Sequence, residues 1–141
     1  MQTETLAPPA GFAPHDRKSP LTDPWEPLYS RKADRAVILG LRAGPAHTNS
    51  RGFVHGGLIA SLADNAMGLS CARRLGDVAS LVTVNLTVDF LGSALDGQWL
   101  EFDTVFVRPG STLCFAQAFV TADGLPCARA NAVFRVVRKA A

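Results

Sequence analysis

The chain has 141 residues, a length typical of one domain; 48% of them are hydrophobic and 18% are charged. This balance favours a packed core and argues against intrinsic disorder, which requires low hydrophobicity and high net charge. Fourteen Lys and Arg residues against twelve Asp and Glu leave a net charge of only +2. A dedicated nucleic-acid-binding protein carries a much stronger basic excess, so we expect no nucleic-acid partner.

The three cysteines, Cys71, Cys114 and Cys127, are odd in number and form no Cys-x-x-Cys pair. Zinc sites need paired spacings, and small disulfide scaffolds need more cysteines in a shorter chain. We therefore expect reduced, partly buried thiols in a cytoplasmic protein. Residues 1–6 lack the features of a signal peptide, and no apolar run approaches the ~18 residues of a membrane helix, so no membrane partner is expected.

Residues 1–32 are predicted to form an N-terminal arm, and residues 33–141 to form a single folded domain. The arm is rich in residues that break a helix, namely Pro8, Pro9, Pro14, Pro20 and Pro24. We expect it to be extended or partly disordered, with a short helical turn around residues 25–29. The side chains expected to dock the arm are Trp25, Leu28 and Tyr29.

The rest of the chain predicts one helix and five strands. Residues 57–74 carry apolar side chains at helical spacing, and Gly76 follows them as a C-terminal signal. The strands are predicted from apolar runs, period-two alternation and intervening Asp-Gly and Pro-Gly turns, at residues 36–41, 82–90, 99–107, 113–121 and 127–137. This order predicts an α+β fold in which a five-stranded antiparallel sheet curves around one long central helix.

Common catalytic signatures are absent: the sequence has no G-x-S-x-G, no P-loop, no Rossmann glycine pattern and no H-E-x-x-H. With three histidines in the chain, we expect no metal site. With these signatures excluded, the segment of most interest is the start of the long helix, where Gly56 and Gly57 lie. The first N–H groups of a helix have no intrahelical partners and lie at the positive end of its dipole. These glycines either let a ligand oxygen reach the backbone or only make a tight turn.

Four further residues also allow two interpretations each. Asp64, seven residues after Gly57, lies either on the solvated side of the helix or at a site. Asn49 can be a loop-former, Thr83 an ordinary strand residue, and His55 a helix-entry residue that hydrogen-bonds locally.

The combination of these residues resembles the hotdog-fold acyl-CoA thioesterases, specifically the phenylacetic-acid-pathway type and its 4-hydroxybenzoyl-CoA and mammalian mitochondrial relatives. That family has an Asn, a His-Gly-Gly six residues later, and an acidic residue in the helix nine residues after the His. Here the pattern is Asn49, His55-Gly56-Gly57 and Asp64. The resemblance covers roughly residues 33–138 and implies the hotdog fold.

The resemblance also implies roles for individual residues. Asp64 would be the general base or nucleophile, and the Gly57 N–H would polarise the thioester carbonyl. Asn49 would orient the attacking water or the leaving group, and Thr83 would help to hold the water. His55 would be a positioning residue. Such a reaction requires an oxyanion donor, a carboxylate and a placed water, with no metal and no cofactor other than the coenzyme A of the substrate.

One departure from the family concerns the coenzyme A contacts. Relatives often have Arg-Pro-Ala after the second strand, where this chain has residues 91–94, Leu-Gly-Ser-Ala. The turn Arg108-Pro-Gly-Ser-Thr-Leu113 is similar to a basic turn of the family. It makes Arg108, Ser111 and Thr112 candidates for coenzyme A contacts, although an ordinary hairpin turn explains them equally well.

The spacing of Gly57 and Asp64 predicts a site shared between two chains. Seven residues of helix separate these groups by about 10 Å, whereas reacting groups must approach to about 3 Å. The resemblance implies a homodimer in which Asn49 and Gly57 of one chain meet Asp64 and Thr83 of the other, and a further dimer of dimers.

The leading interpretation is therefore an acyl-CoA thioesterase. A hotdog hydratase or dehydratase is one alternative, although such enzymes usually pair a catalytic His with a carboxylate. A non-catalytic acyl-CoA-binding module is another, against which an intact Asp64 argues. The sequence leaves the acyl group open among phenylacetyl, other aryl, short or medium aliphatic, and quinone-precursor thioesters.

Overall fold

The computed structural model describes residues 6–76 and 78–140. One long helix, α1 (Gly56–Leu75), packs against a single antiparallel sheet. The strands in chain order are β1 (Ala13–Pro14), β2 (Tyr29–Lys32), β3 (Val37–Arg42), β4 (Val78–Phe90), β5 (Trp99–Arg108), β6 (Leu113–Ala122) and β7 (Leu125–Arg138). Their order across the sheet is β1-β2-β3-β5-β6-β7-β4. This is the hotdog arrangement that the sequence predicts.

The predicted number of five strands is wrong, because the described sheet has seven. The two additional strands come from the N-terminal arm: β2 pairs with β3, and β1 pairs with β2. β1 is two residues long and β2 is four. Their pairing therefore depends on the neighbouring strand, β2 for β1 and β3 for β2, rather than on a local sequence pattern. The predicted helical turn is a single 3-10 turn at Asp23–Trp25, which ends before Tyr29 enters β2.

The predicted antiparallel meander is present from β5 to β7. In β6 every second residue faces the helix and is buried, namely Cys114, Ala116, Ala118, Val120 and Ala122. Asp123 and Gly124 both have positive φ values, of 47° and 83°, and join Ala122 to Leu125 in a two-residue hairpin. This is the turn that an Asp-Gly dipeptide favours, because both central residues must have positive φ.

Helix α1 fits into the concave side of the sheet because its buried positions are mostly small or unbranched. The side chains of Ala63, Ala66, Met67 and Cys71 are completely buried, so the sheet approaches the helix closely. Ser70 is also buried, and its hydroxyl accepts a hydrogen bond from the Val37 N–H at 3.1 Å. The helix ends at Gly76, whose φ of 75° suits a glycine.

The residues predicted to dock the arm do contact the domain. Leu28 joins the hydrophobic core at 3% exposure, and Trp25 packs against it. The ring of Tyr29 lies 5.8 Å from that of Trp99, and Phe12 meets Trp99 edge to face at 5.2 Å. No helix in the described part of the chain is long and apolar enough to cross a membrane.

Gly40 is the residue on which this aromatic contact depends. A Cβ at this position would overlap the Trp99 ring and lie 3.0 Å from Phe12. We therefore expect Gly40→Ala to lower the free energy of unfolding by about 1–3 kcal/mol through overpacking. Urea unfolding followed by tryptophan fluorescence measures this loss. Gly44→Ala is the matched control, since its Cβ would only reach His47 at 3.8 Å; equal losses in both variants would contradict this explanation.

Candidate active site

Asp64 and Thr83 form a hydrogen-bonded pair between the helix and the edge strand β4. The Thr83 hydroxyl donates to the Asp64 Oδ1 at 2.8 Å. Asp64 is half-buried, and its helix neighbours Ala63 and Met67 are fully buried. No described residue hydrogen-bonds to the Asp64 Oδ2. One carboxylate oxygen is therefore held in place, while the other remains able to accept a proton.

The start of α1 is capped by His55, which takes the N-cap position. Its Nδ1 accepts a hydrogen bond from the Gly57 N–H at 2.9 Å. The Gly57 N–H, which the resemblance assigns to the thioester carbonyl, is thus already engaged within the chain. The Gly56 N–H, in contrast, has no acceptor among the described residues. Of the two glycine donors, Gly56 is the one available to a ligand.

Asn49 shapes the loop that leads into the helix. Its Oδ1 accepts hydrogen bonds from the Arg51 N–H at 2.9 Å and the Phe53 N–H at 3.2 Å. Its own N–H donates to the Phe53 carbonyl. Within one chain Asn49 is therefore a loop-former, as one of the two sequence interpretations has it. No described residue hydrogen-bonds to its side-chain nitrogen. The role of Asn49 at the site therefore stays a prediction.

His47 is a buried residue of this region that the sequence reasoning missed. Its Nδ1 accepts a hydrogen bond from the Gly44 N–H, so the ring proton lies on Nε2 and is donated to the Trp25 carbonyl, each at 2.9 Å. The His47 carbonyl accepts from the His55 N–H. One imidazole thus joins the arm to the loop before the helix. In the sequence, the only hint of this role is that His47 lies two residues after Pro45 of the Gly44-Pro45 pair.

The proposed site residues do not share one cavity of the single chain. Asp64 and Thr83 line a cavity of about 460 Å³ between α1, β4 and the arm. Gly56 lines a second cavity of about 390 Å³ with Phe90 and Gly92. Asn49, His55 and Gly57 are in the lining of neither cavity. The single chain therefore does not bring the start of the helix and the carboxylate together.

The candidate coenzyme A residues lie in the exposed hairpin between β5 and β6. Arg108 ends β5, and Ser111 and Thr112 form the turn, all exposed. The Thr112 carbonyl accepts from the Val136 N–H at 2.8 Å, and Arg138 reaches the Gly110 carbonyl at 3.5 Å. The hairpin therefore packs beside the end of β7, and the basic side chain of Arg138 lies against its turn.

The cysteines have no place at either cavity. Cys71, Cys114 and Cys127 are all buried and free, and burial raises the pKa of the Cys71 and Cys127 thiols above the usual range. A thiol with a raised pKa is a poor nucleophile near neutral pH. Within residues 6–76 and 78–140, no three His, Cys, Asp or Glu side chains come together in a way that could hold a metal ion.

A sequence profile of the thioesterase superfamily matches residues 51–127, more than half of the chain. The chain belongs to the thioesterase superfamily. The matched segment contains His55, Gly57, Asp64 and Thr83, so the resemblance drawn from these residues is confirmed at the level of the family.

The names of individual relatives are consistent with the thioesterase superfamily. A Pseudomonas aeruginosa protein described as an esterase is 37% identical over 129 residues, which cover 91% of this chain and 96% of that protein. The acyl-coenzyme A thioesterase 13 of Mus musculus is 31% identical over 91 residues, 63% of each chain. Because the first match covers 91% of this chain, it includes at least part of the N-terminal arm.

Solved structures share the fold of the superfamily. A Bacillus halodurans protein solved with coenzyme A has a TM-score of 0.70 at 29% identity and covers 79% of this chain and 74% of its own. The phenylacetic acid degradation protein of Thermus thermophilus, at 19% identity, has a TM-score of 0.72 over 83% of this chain and 98% of its own. The second likeness concerns the fold alone.

Proposed function

We propose that this protein hydrolyses an acyl- or aryl-CoA thioester to the free acid and coenzyme A, with Asp64 as general base or nucleophile. The observation that carries the proposal is the 2.8 Å hydrogen bond from the Thr83 hydroxyl to Asp64, which lies beside the buried helix residues Ala63 and Met67. A carboxylate that is oriented by a neighbouring strand and faces a cavity is suited to proton transfer or attack. Relatives named as acyl-coenzyme A thioesterases support this choice of reaction.

The proposed chemistry needs only groups of the protein and water. As general base, Asp64 takes a proton from water while the water oxygen attacks the thioester carbonyl. The tetrahedral intermediate then expels the coenzyme A sulfur, which leaves as the thiol after taking up the proton. As nucleophile, Asp64 attacks the carbonyl and the C–S bond breaks, which releases the coenzyme A thiolate and leaves an anhydride. Water then hydrolyses the anhydride, restores the Asp64 carboxylate and supplies the proton that the thiolate takes up. The same acid and thiol form by either route, without a metal or an added cofactor.

The negative charge on the carbonyl oxygen requires a donor that is free to point at it. The Gly56 N–H meets this requirement better than the Gly57 N–H, which already donates to His55. We therefore assign the oxyanion contact to Gly56 and a positioning role to His55, which fixes the first turn of the helix. Gly57 can take part only if the imidazole moves away.

The site is completed, in this proposal, by a second copy of the chain. β4 is an edge strand of the sheet, and its exposed apolar residues Val82, Val84 and Phe90 are each more than half accessible. Two such edges pairing antiparallel across a two-fold axis would place the Val78 end of one strand against the Phe90 end of the other. Val78 lines the Asp64 cavity and Phe90 lines the Gly56 cavity, so the two half-sites would meet.

The same arrangement leaves the β5–β6 hairpin available to the coenzyme A portion. Leu113 pairs with Arg135, which in turn pairs with Val82 of β4, so the hairpin lies at the end of the sheet near the Asp64 cavity. Arg108, Ser111 and Thr112 would contact phosphate groups there. A relative solved with coenzyme A supports this class of ligand.

Three free thiols agree with a cytoplasmic location.

Replacing the carboxylate tests the reaction directly. We expect the wild-type protein to release free thiol from an acyl-CoA, and Asp64→Asn to lower kcat on the order of 10²-fold or more, because the amide cannot accept the proton or attack. Thiol release is followed with a chromogenic disulfide, and circular dichroism verifies the fold. EDTA should leave the wild-type rate unchanged. Near-normal turnover in Asp64→Asn would mean that Asp64 is only a solvated helix residue.

A pair of Gly56 variants tests the oxyanion assignment. Gly56→Pro removes the N–H at the first helical position, where proline is well tolerated, and the preceding His55 already has the extended conformation that proline requires. Gly56→Ala keeps the N–H, and its Cβ would meet the same Phe90 ring at 3.1 Å. We expect Gly56→Pro to lose about 10²-fold in kcat relative to Gly56→Ala. Equal rates in the two variants would exclude the Gly56 N–H and return the role to Gly57.

A further inference from the structure

The cavity that contains Asp64 has two chemically different walls. The wall built by α1 and the sheet is mostly apolar and includes Leu39, Leu62, Leu69, Leu81 and Phe134. The opposite wall is formed by the N-terminal arm, which contributes mainly polar side chains, namely His15, Arg17, Ser19 and Thr22. A ligand that fills this cavity therefore meets hydrocarbon on one side and hydrogen-bonding groups on the other.

The arm is held in place at the cavity by several independent contacts, and the exposed Arg17 side chain projects from this fixed backbone. The His15 Nδ1 hydrogen-bonds with the buried Ser30 hydroxyl at 3.0 Å, and the His15 N–H donates to the Leu28 carbonyl. Lys18 forms an ion pair with Glu26 at 3.0 Å. The Ser19 and Thr22 hydroxyls hydrogen-bond to each other. These contacts make the arm a fixed wall of the cavity rather than a loose tail.

Arg17 differs from its neighbours in its electrostatic partners. Asp16 lies 3.9 Å from both Lys32 and His15, and Lys18 is paired with Glu26. Arg17 has no carboxylate partner among the described residues, yet it is the one that lines the cavity. Burial lowers the pKa of His15, which keeps that imidazole neutral near pH 7. The positive charge of the cavity is therefore the Arg17 guanidinium.

The lining of this cavity contains two formally charged side chains at neutral pH, Asp64 and Arg17. The Asp64 carboxylate is engaged by Thr83. The guanidinium of Arg17 is a planar fork of donors that matches carboxylate or phosphate oxygens. An arginine without a protein partner, on the polar wall of a substrate cavity, is suited to bind an anion.

We propose that Arg17 binds an anionic group of the thioester ligand, so that the N-terminal arm determines substrate specificity. This inference rests on the proposed function for the location of the thioester, at Asp64. The anion is either a carboxylate at the far end of the acyl group, with its methylenes against Leu62 and Phe134, or a phosphate of the coenzyme A portion. Both sources present oxygens of the same kind to the guanidinium, and a suitable choice of ligands distinguishes them.

The test measures binding, so that it does not depend on turnover. Dissociation constants are determined by calorimetry in the Asp64→Asn protein, with and without Arg17→Gln. Glutaryl-CoA and 5-methylhexanoyl-CoA have acyl groups of the same shape and differ in the charge of the terminal group. Each acyl group is also offered as its pantetheine thioester, which lacks the phosphates. Arg35→Gln is the matched control, since Arg35 is exposed, as Arg17 is, but does not line the cavity.

If Arg17 binds an acyl carboxylate, Arg17→Gln should weaken both glutaryl ligands about 10-fold and leave both 5-methylhexanoyl ligands unchanged. If it binds a phosphate, both coenzyme A thioesters should weaken and neither pantetheine thioester should. Unchanged affinity for all four ligands would overturn the proposal. Equal weakening of all four, or the same losses in Arg35→Gln, would overturn it as well. Failure of the hydrolysis itself would appear separately, as absent thiol release by the wild-type protein.

Discussion

The burial of helix α1 in the concave side of the sheet is the constraint on which the rest of the structure depends. Small side chains such as Ala63 and Ala66 let the sheet close around one side of the helix and leave a partly exposed strip on the other side. Asp64 belongs to that strip, and Thr83 reaches it from the edge strand β4. Because the helix is rigid and its ends are fixed, the position of the carboxylate follows from the packing of the core.

The same rigidity separates the groups that the chemistry would bring together. The start of the helix and Asp64 are about two turns apart and open into different cavities. A helix cannot fold back on itself to close this gap. A second chain, pairing along the unpaired edge of β4, provides the geometry that one chain lacks. In this account the hydrophobic core and the proposed dimer are both consequences of one long buried helix.

Much of this arrangement could be predicted from the sequence because its signals are local. Apolar residues between two turn signals predicted β6, and Asp123-Gly124 predicted the hairpin that follows it. Helical spacing predicted α1 to within one residue at each end. The family pattern singled out Asp64 and Thr83, which are 19 residues apart and hydrogen-bonded in the structure.

The predictions that failed or fell short concern contacts between distant segments. The strands β1 and β2 carry no alternation of their own and pair only with their neighbours in the sheet, β2 with β3 and β1 with β2, so the proline-rich arm gave no sign of them. Nor did the sequence indicate that His47 reaches the Trp25 carbonyl, 22 residues away. Arg17 acquires its position at the cavity only because the arm docks.

If each site combines the helix start of one chain with Asp64 of another, mixing two kinds of defective subunit should restore activity. Gly56→Pro and Asp64→Ala chains, each inactive alone, are unfolded together and refolded, and mixed dimers are verified by mass spectrometry. Half of the randomly paired dimers are mixed, and each has one site with both changes and one intact site, so roughly a quarter of the wild-type activity should return. Mixed dimers that form and show no activity would contradict the account, because each site would then lie within one chain.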